Sequence, residues 1–212
     1  MIVIVDYGVG NLRSVQKALE RVGATAIVTS DPADLDAARG IVLPGVGAFG
    51  DGMEHLRTRG LIAPVLRQVT AGKPLLGICL GMQLLFEESE EMGRHQGLGV
   101  LPGRVVRFPE GELKVPHIGW NQLQKTGDNR ARALLAGVAP GAYAYFVHSY
   151  YVQPDSTHDI VATTEYGLTF ASVVGRDRIF GAQFHPEKSQ EVGLRLLENY
   201  AHLVDEAEWG GQ

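Results

Sequence analysis

Cysteine is almost missing from this chain: Cys79 is the one thiol in 212 residues. A lone thiol excludes an intramolecular disulfide and suits a reducing compartment, so a cytoplasmic protein is expected. An excess of positive charge is missing too. Nineteen Lys and Arg face 24 Asp and Glu, a formal charge of -5, and no basic run interleaves with aromatics. That composition excludes the electrostatic surface that holds nucleic acid. No apolar run approaches the ~20 residues of a membrane helix, so no membrane association is expected. H-x-H, HExxH and cysteine clusters are absent, and neither a metal nor another cofactor is expected. The opening stretch MIVIVDYGVGN has no basic region ahead of its apolar residues and reads as a first buried strand, not a leader. With no repeat and no linker, residues 1–212 read as a single domain.

What is present is an alternating pattern. Ile2–Val5, Ala24–Val28, Gly40–Leu43 and Pro74–Ile78 are apolar runs of strand length. Between them, Asn11–Val22 repeats apolar residues at helical spacing, and Asp51–Ala71 holds one or two helices with Gly60 as the break. Met82–Glu88 reads as the start of another helix. Continuous apolar strands separated by helices imply a parallel sheet covered on both faces. From Val100 onward the pattern changes. RVVRF, YAYFV, IVATTEY, TFASVV and IFGAQF read as short strands, some antiparallel and joined by turns such as Gly175-Arg176-Asp177. Gln190–Leu203 reads as a closing amphipathic helix, and the tail ending EWGGQ as frayed. The fold expected is α/β, with an open, mixed, largely parallel sheet flanked by helices.

Cys79 sits in LLGICLGMQLLF, where a hydrophobic run gives way to a helical pattern. Free cysteine is usually a small buried apolar residue. The frame G-x-C-x-G, though, matches the G-x-S-x-G nucleophile elbow with sulfur in place of oxygen. A nucleophilic thiol needs a base and a group to orient it. His185 follows a strand-like run in FHPEKS, with Glu187 two residues on, on the same side if the strand continues and within reach if it does not. Oxyanion donors would be the N–H of Leu80, after the nucleophile, and one from the glycine-rich loop LPGVGAFGDG. That loop contains G-x-G-x-x-G, but it follows the third strand and has no acidic residue ~20 positions on, so a dinucleotide site is rejected.

GICLGMQ, FHPE and PGVG together resemble the class I (triad) glutamine amidotransferases. VDYGVGNLRSVQKALE, LPGVGAFGDGM, PHIGWN, YFVHSYY and QFHPEKSQ extend the resemblance over nearly the whole chain, toward the branch serving histidine biosynthesis. The resemblance implies a flavodoxin-like architecture and a glutaminase with Cys79 as nucleophile, His185 as base then acid and Glu187 as orienter. It implies oxyanion donors at Val46 and Leu80, and a glutamine site of Gly47, Gln83, Glu91, His148, Ser149 and Tyr150. Taken alone, Glu91 lies in an acidic run, EESEE, that would ordinarily be a solvated surface. A glutaminase of another pathway and a stand-alone γ-glutamyl hydrolase share the triad and are the rival readings.

PHIGWN places Trp120 in what reads as a loop. Tryptophan there is either buried in the core or an interface anchor. The resemblance favours an interface, with His117, Trp120, Asn121, Tyr145 and Lys188 near a partner. The partner implied is a cyclase subunit, a (β/α)8 barrel forming a heterodimer, which would receive ammonia.

Overall fold

The apolar runs of the first half become the centre of a sheet. The computed structural model describes residues 1–111, 113–126 and 130–206; the EWGGQ tail lies outside the described residues. In chain order the first elements are β1 (Ile2–Val5), α1 (Leu12–Arg21), β2 (Ala26–Thr29), α2 (Pro32–Ala37), β3 (Gly40–Gly45), α3 (Phe49–Thr58), α4 (Ile62–Thr70), β4 (Leu75–Cys79) and α5 (Leu80–Leu84). Then come β5 (Phe86–Ser89), β6 (His95–Gln96), β7 (Leu101–Arg107), β8 (His117–Lys125), β9 (Ala142–His148) and β10 (Tyr150–Pro154). The chain closes with β11 (Ile160–Glu165), β12 (Thr169–Arg176), β13 (Ile179–Ala182) and α6 (Gln190–Glu206).

Nine strands form one sheet in the order β2-β1-β3-β4-β13-β12-β11-β8-β9. The first five are parallel to their neighbours. From β13 onward every pairing is antiparallel, so the parallel character belongs to the half that carries Cys79. A second sheet, β10-β7-β5-β6, packs beside it. Alternation along the strands feeds two cores. Ile2, Ile4, Leu76 and Ile78 face α1 and α6, while Val3, Val5, Ile41, Leu43 and Leu75 face the helices between β2 and β5 and the small sheet. The buried Tyr200 hydroxyl of α6 lies 2.7 Å from the Ile41 carbonyl and 3.0 Å from that of Pro74, fastening α6 to the sheet. Among the described residues no helix is long and apolar enough to cross a membrane.

Three readings need correction. The helix expected over Met82–Glu88 ends at Leu84, and Phe86–Ser89 is a strand. Its end is set from outside: the Leu84 and Leu85 carbonyls accept N–H groups of Leu98, Val100 and Leu101, which turn the chain into the second sheet. PHIGWN is no loop but the start of β8, hydrogen-bonded to β9. Gly175 and Arg176 are still paired in β12 and β13, so the turn lies at Asp177 (φ 54°) and Arg178. Of the two courses left open after His185, the chain takes the one without a strand: β13 ends at Ala182, and Pro186–Lys188 is a single 3-10 turn. The break at Gly60, with φ 67°, is where it was expected.

The β4–α5 turn shows why glycine flanks the thiol. Cys79 itself holds φ 55° and ψ -113°, outside the regions comfortable for a side chain. A Cβ on Gly77 would lie 2.7 Å from the Gly81 carbonyl oxygen and from Met82 backbone atoms, and one on Gly81 would collide with the Leu43 carbonyl. These neighbours are backbone and cannot give way. Gly81→Ala is therefore expected to cost at least about 2–3 kcal/mol, read as a lower denaturant midpoint. A variant as stable as the parent would mean the turn has slack that the packing denies.

Candidate active site

Cys79 ends β4, inside a parallel array ordered β2-β1-β3-β4-β13. That is the 2-1-3-4-5 order of doubly wound sheets, which bind ligands at the carboxyl ends of their strands. The register pairs Gly45 with Cys79. The residues next in sequence, Val46 and Leu80, are thus carried together past the ends of adjacent strands. Tyr7, buried beyond the end of β1, holds this loop by donating its hydroxyl to the Pro44 carbonyl at 2.6 Å. Burial, followed by the nearby Cys79, pushes the Tyr7 pKa upward. Gly47 has φ 101°, a conformation side chains rarely adopt.

His185 arrives from the neighbouring strand β13. Its Nδ1 lies 2.9 Å from Glu187 Oε1, and both side chains are buried. The backbone around it is fastened to β9: His185 N–H donates to the Tyr145 carbonyl, Ser189 Oγ–H to the His185 carbonyl, and Tyr145 N–H to Ser189 Oγ. Asn11 Nδ2 also donates to Glu187 Oε1, at 3.2 Å. Burial alone would raise the Glu187 pKa, but the bonds from His185 and Asn11 hold it below the usual carboxylate range. Burial likewise pulls His185 down, and the Cys79 sulfur and the Glu187 carboxylate outweigh it, raising the imidazole well above its usual value. Among the described residues Nε2 has no hydrogen-bond partner, which leaves it for the thiol and a substrate. The set is a thiol, an imidazole and a carboxylate in the order that activates a nucleophile.

A cavity of about 250 Å³ opens over the thiol. Its walls include Val46, Gly47, Cys79, Leu80, Gln83 and Glu91, and on the far side His148, Ser149, Tyr150 and His185. Every residue expected in the oxyanion and glutamine sets lines this one space. Glu91 is not part of a solvated run: it is partly buried and accepts the Phe49 N–H at 2.7 Å. Burial raises its pKa, against the lowering effect of that N–H. Gln83 Nε2 donates to the Tyr150 carbonyl and to Gln183 Oε1, each at 3.0 Å, and Gln183 Nε2 points at Cys79 Sγ at 3.8 Å. Sequence reasoning missed Tyr7, Asn11 and Gln183. Tyr7 and Asn11 stand in VDYGVGN and Gln183 in QFHPEKSQ, but nothing local to those motifs says whom each side chain bonds.

The residues grouped around Trp120 divide by face. Alternation along β8 and β9 turns Ile118, Trp120, Tyr143 and Tyr145 outward. Ile118, Trp120 and Tyr143 are 59%, 47% and 55% exposed. Trp120 packs edge-on against Tyr145 with centroids 5.9 Å apart, and Lys188 Nζ lies 5.9 Å above the Tyr145 ring. His117 departs from expectation. At 2% exposure it lies on the inner face, stacked between Tyr166 and Phe146, and it offers no surface to a partner. Asn121 points the same way and donates to His117 Nε2 at 3.2 Å.

Residues 3–203 match the family model described as glutamine amidotransferase class-I. A protein of Syntrophotalea carbinolica named imidazole glycerol phosphate synthase subunit HisH is 56% identical over 96% of this chain and all of its own length. One of the same name from Geobacter sulfurreducens is 53% identical over 95% of this chain and 98% of that protein. Among solved structures, a glutamine amidotransferase superposes with a TM-score of 0.75 at 22% identity, covering 97% of this chain and 100% of the other. That likeness speaks for the fold alone.

The raised imidazole makes a measurable prediction. His185 should remain protonated above pH 7, where a free imidazole of pKa about 6.5 is mostly neutral, as read by nitrogen-15 chemical shifts. Because the folded pKa is the higher one, this group's stabilisation is complete below about pH 6.5 and fades as pH rises through the folded value. Glu187→Gln should lower the imidazole pKa, and its stability deficit should narrow over that same rise. An imidazole that titrates normally in the parent would contradict the coupling.

Proposed function

Because the chain belongs to the glutamine amidotransferase class-I family, we propose that it is the glutaminase subunit of an imidazole glycerol phosphate synthase, working in histidine biosynthesis. The observation that carries the chemistry is the elbow thiol sharing one cavity with His185, whose far nitrogen is paired with the buried Glu187 carboxylate. Cys79, its thiol proton passed to His185 Nε2, attacks the side-chain amide carbon of glutamine. The oxyanion that forms is met by the N–H groups of Val46 and Leu80. His185 gives its proton to the amide nitrogen as the C–N bond breaks, ammonia departs, and a γ-glutamyl thioester remains on the sulfur. Water then adds to the thioester while His185 takes back a proton, and glutamate leaves with the thiol restored. Glu187 keeps the ring oriented throughout.

The rest of the cavity recognises the amino acid. Glu91 suits the α-ammonium group, and the strand end at Ser149 and Tyr150 offers N–H to the α-carboxylate. Gly47, Gln83 and His148 complete the pocket. The 212 residues act as one domain, in the cytoplasm, where thiols stay reduced. The ammonia goes to a cyclase subunit, a (β/α)8 barrel that makes imidazole glycerol phosphate and AICAR. The exposed apolar face of β8 and β9, with Trp120, Tyr145 and Lys188, supports docking of that partner on this edge, next to Val147 in the cavity wall.

Two variants test this. In the complex, Cys79→Ala should lose glutamine-dependent synthesis by at least about a thousandfold while keeping synthesis from added ammonia. Loss of both, or of neither, would sink the assignment. Trp120→Ala should change the stability of the isolated subunit by less than about 1 kcal/mol, yet weaken cyclase binding about tenfold or more. A loss of ~3–5 kcal/mol would mark a core tryptophan instead.

A further inference from the structure

His117 and His148 lie in a chain of hydrogen bonds whose direction is fixed at both ends. At one end, His148 Nδ1 lies 2.8 Å from the Tyr150 carbonyl oxygen, an atom with no proton to give. Nδ1 therefore carries the hydrogen. At the other end, Asn121 Oδ1 accepts the Gln122 N–H and its Nδ2 donates to the Glu165 carbonyl. The amide orientation is thereby settled, and Nδ2 also faces His117 Nε2 as donor. Only one assignment of neutral rings satisfies the middle contact, His117 Nδ1 to His148 Nε2 at 3.1 Å: His117 donates and His148 accepts. Both rings sit among Phe108, Phe146, Tyr166 and Phe170. Burial lowers the His117 pKa to about 4 and the His148 pKa to about 3, which favours neutral rings.

The carbonyl at the end of this chain is not incidental. Phe108 N–H donates to the Ser149 carbonyl, so Ser149, just ahead of β10, and Phe108, just past β7, form a hydrogen-bonded pair that continues the ladder of these strands. The next pair, Tyr150 with Arg107, falls in the alternate position, where N–H and C=O point away from the partner strand. Tyr150 thus presents both groups on the open edge of β10, and it lines the cavity over Cys79. Its carbonyl takes His148 on one lone pair and Gln83 on the other.

We propose that Asn121, His117 and His148 form a one-way hydrogen-bond relay whose task is to hold the Tyr150 strand edge so that its N–H receives the α-carboxylate of glutamine. His117 and Asn121 are positioning residues in this arrangement and never touch the substrate. The glutamine part of the proposal rests on the glutaminase reading above; the relay itself does not. Outer ligands that fix the tautomer of an inner histidine act in the same way at metal sites.

The test has two arms on the chain in complex with its cyclase. Nitrogen-15 correlation spectra of histidine-labelled protein should show both His117 and His148 as neutral Nδ1–H tautomers near pH 7, assigned with His117→Phe and His148→Phe. A Nε2–H tautomer or an imidazolium at either ring overturns the relay. His117→Phe, which keeps the stacking surface but donates nothing, should raise KM for glutamine about tenfold while kcat falls less than about threefold. A fall in kcat at unchanged KM, or unchanged kinetics with only a lower melting temperature, would reduce His117 to a packing role and overturn the positioning claim. The spectra do not depend on turnover. A chain with both tautomers as expected but no glutaminase activity would fault the glutaminase reading and leave the relay standing.

Discussion

The backbone turn at Cys79 is the constraint on which the rest of the site depends. A residue at φ 55° and ψ -113° is strained, and the strain is held by packing on every side. Gly81 lies against the Leu43 carbonyl and Gly77 against the first turn of α5. Gly45, level with Cys79 in the next strand, leaves no room for a side chain beneath the Tyr7 hydroxyl. The close approach of β3 to the turn is what carries Val46 beside Leu80. The same compaction that presents the sulfur therefore brings Val46 and Leu80 to the wall of the cavity beside it, where the proposed function puts the developing oxyanion.

The strand where the sheet turns from parallel to antiparallel, together with the antiparallel strand β9, supplies the second component. β13 pairs with β4 and delivers His185 to the thiol, and β9 grips the His185 backbone through Tyr145 and Ser189. The strand that anchors the base is thus the strand whose outer face is apolar and exposed. A partner seated on Trp120 and Tyr145 would touch the scaffold of the base directly, at the edge where β9 also contributes Val147 and His148 to the cavity. On the inner face of the same pair of strands, His117, which sequence reasoning had placed near a partner, is locked among aromatics.

Legibility followed the range of the interaction. The parallel strands, α1, the Gly60 break and the elbow were readable because they rest on local periodicity and on steric demands within a few residues. Cys79, His185 and Glu187 were readable because each sits in a motif whose chemistry is local. The helix read over Met82–Glu88 failed because carbonyls of Leu84 and Leu85 are captured by residues more than a dozen positions on, which no local pattern encodes. β8 was missed because Gly119 and Asn121 look like loop residues until β9 pairs with them. The inward turn of His117 was hidden for the same reason: the side a strand residue faces is set by its register with a distant strand. Asn11, Tyr7 and Gln183 act through single long-range bonds, and such bonds leave no spacing to read.

The central claim is that the elbow sulfur of Cys79 becomes acylated by glutamine with the help of His185. Rapid acid quench of the complex during turnover, followed by peptide mass spectrometry, tests it most directly. The γ-glutamyl adduct should appear on the peptide containing Cys79, and it should fall to background in His185→Ala. An adduct on another residue, or steady turnover with no adduct in a quench fast enough to catch one, would contradict the account.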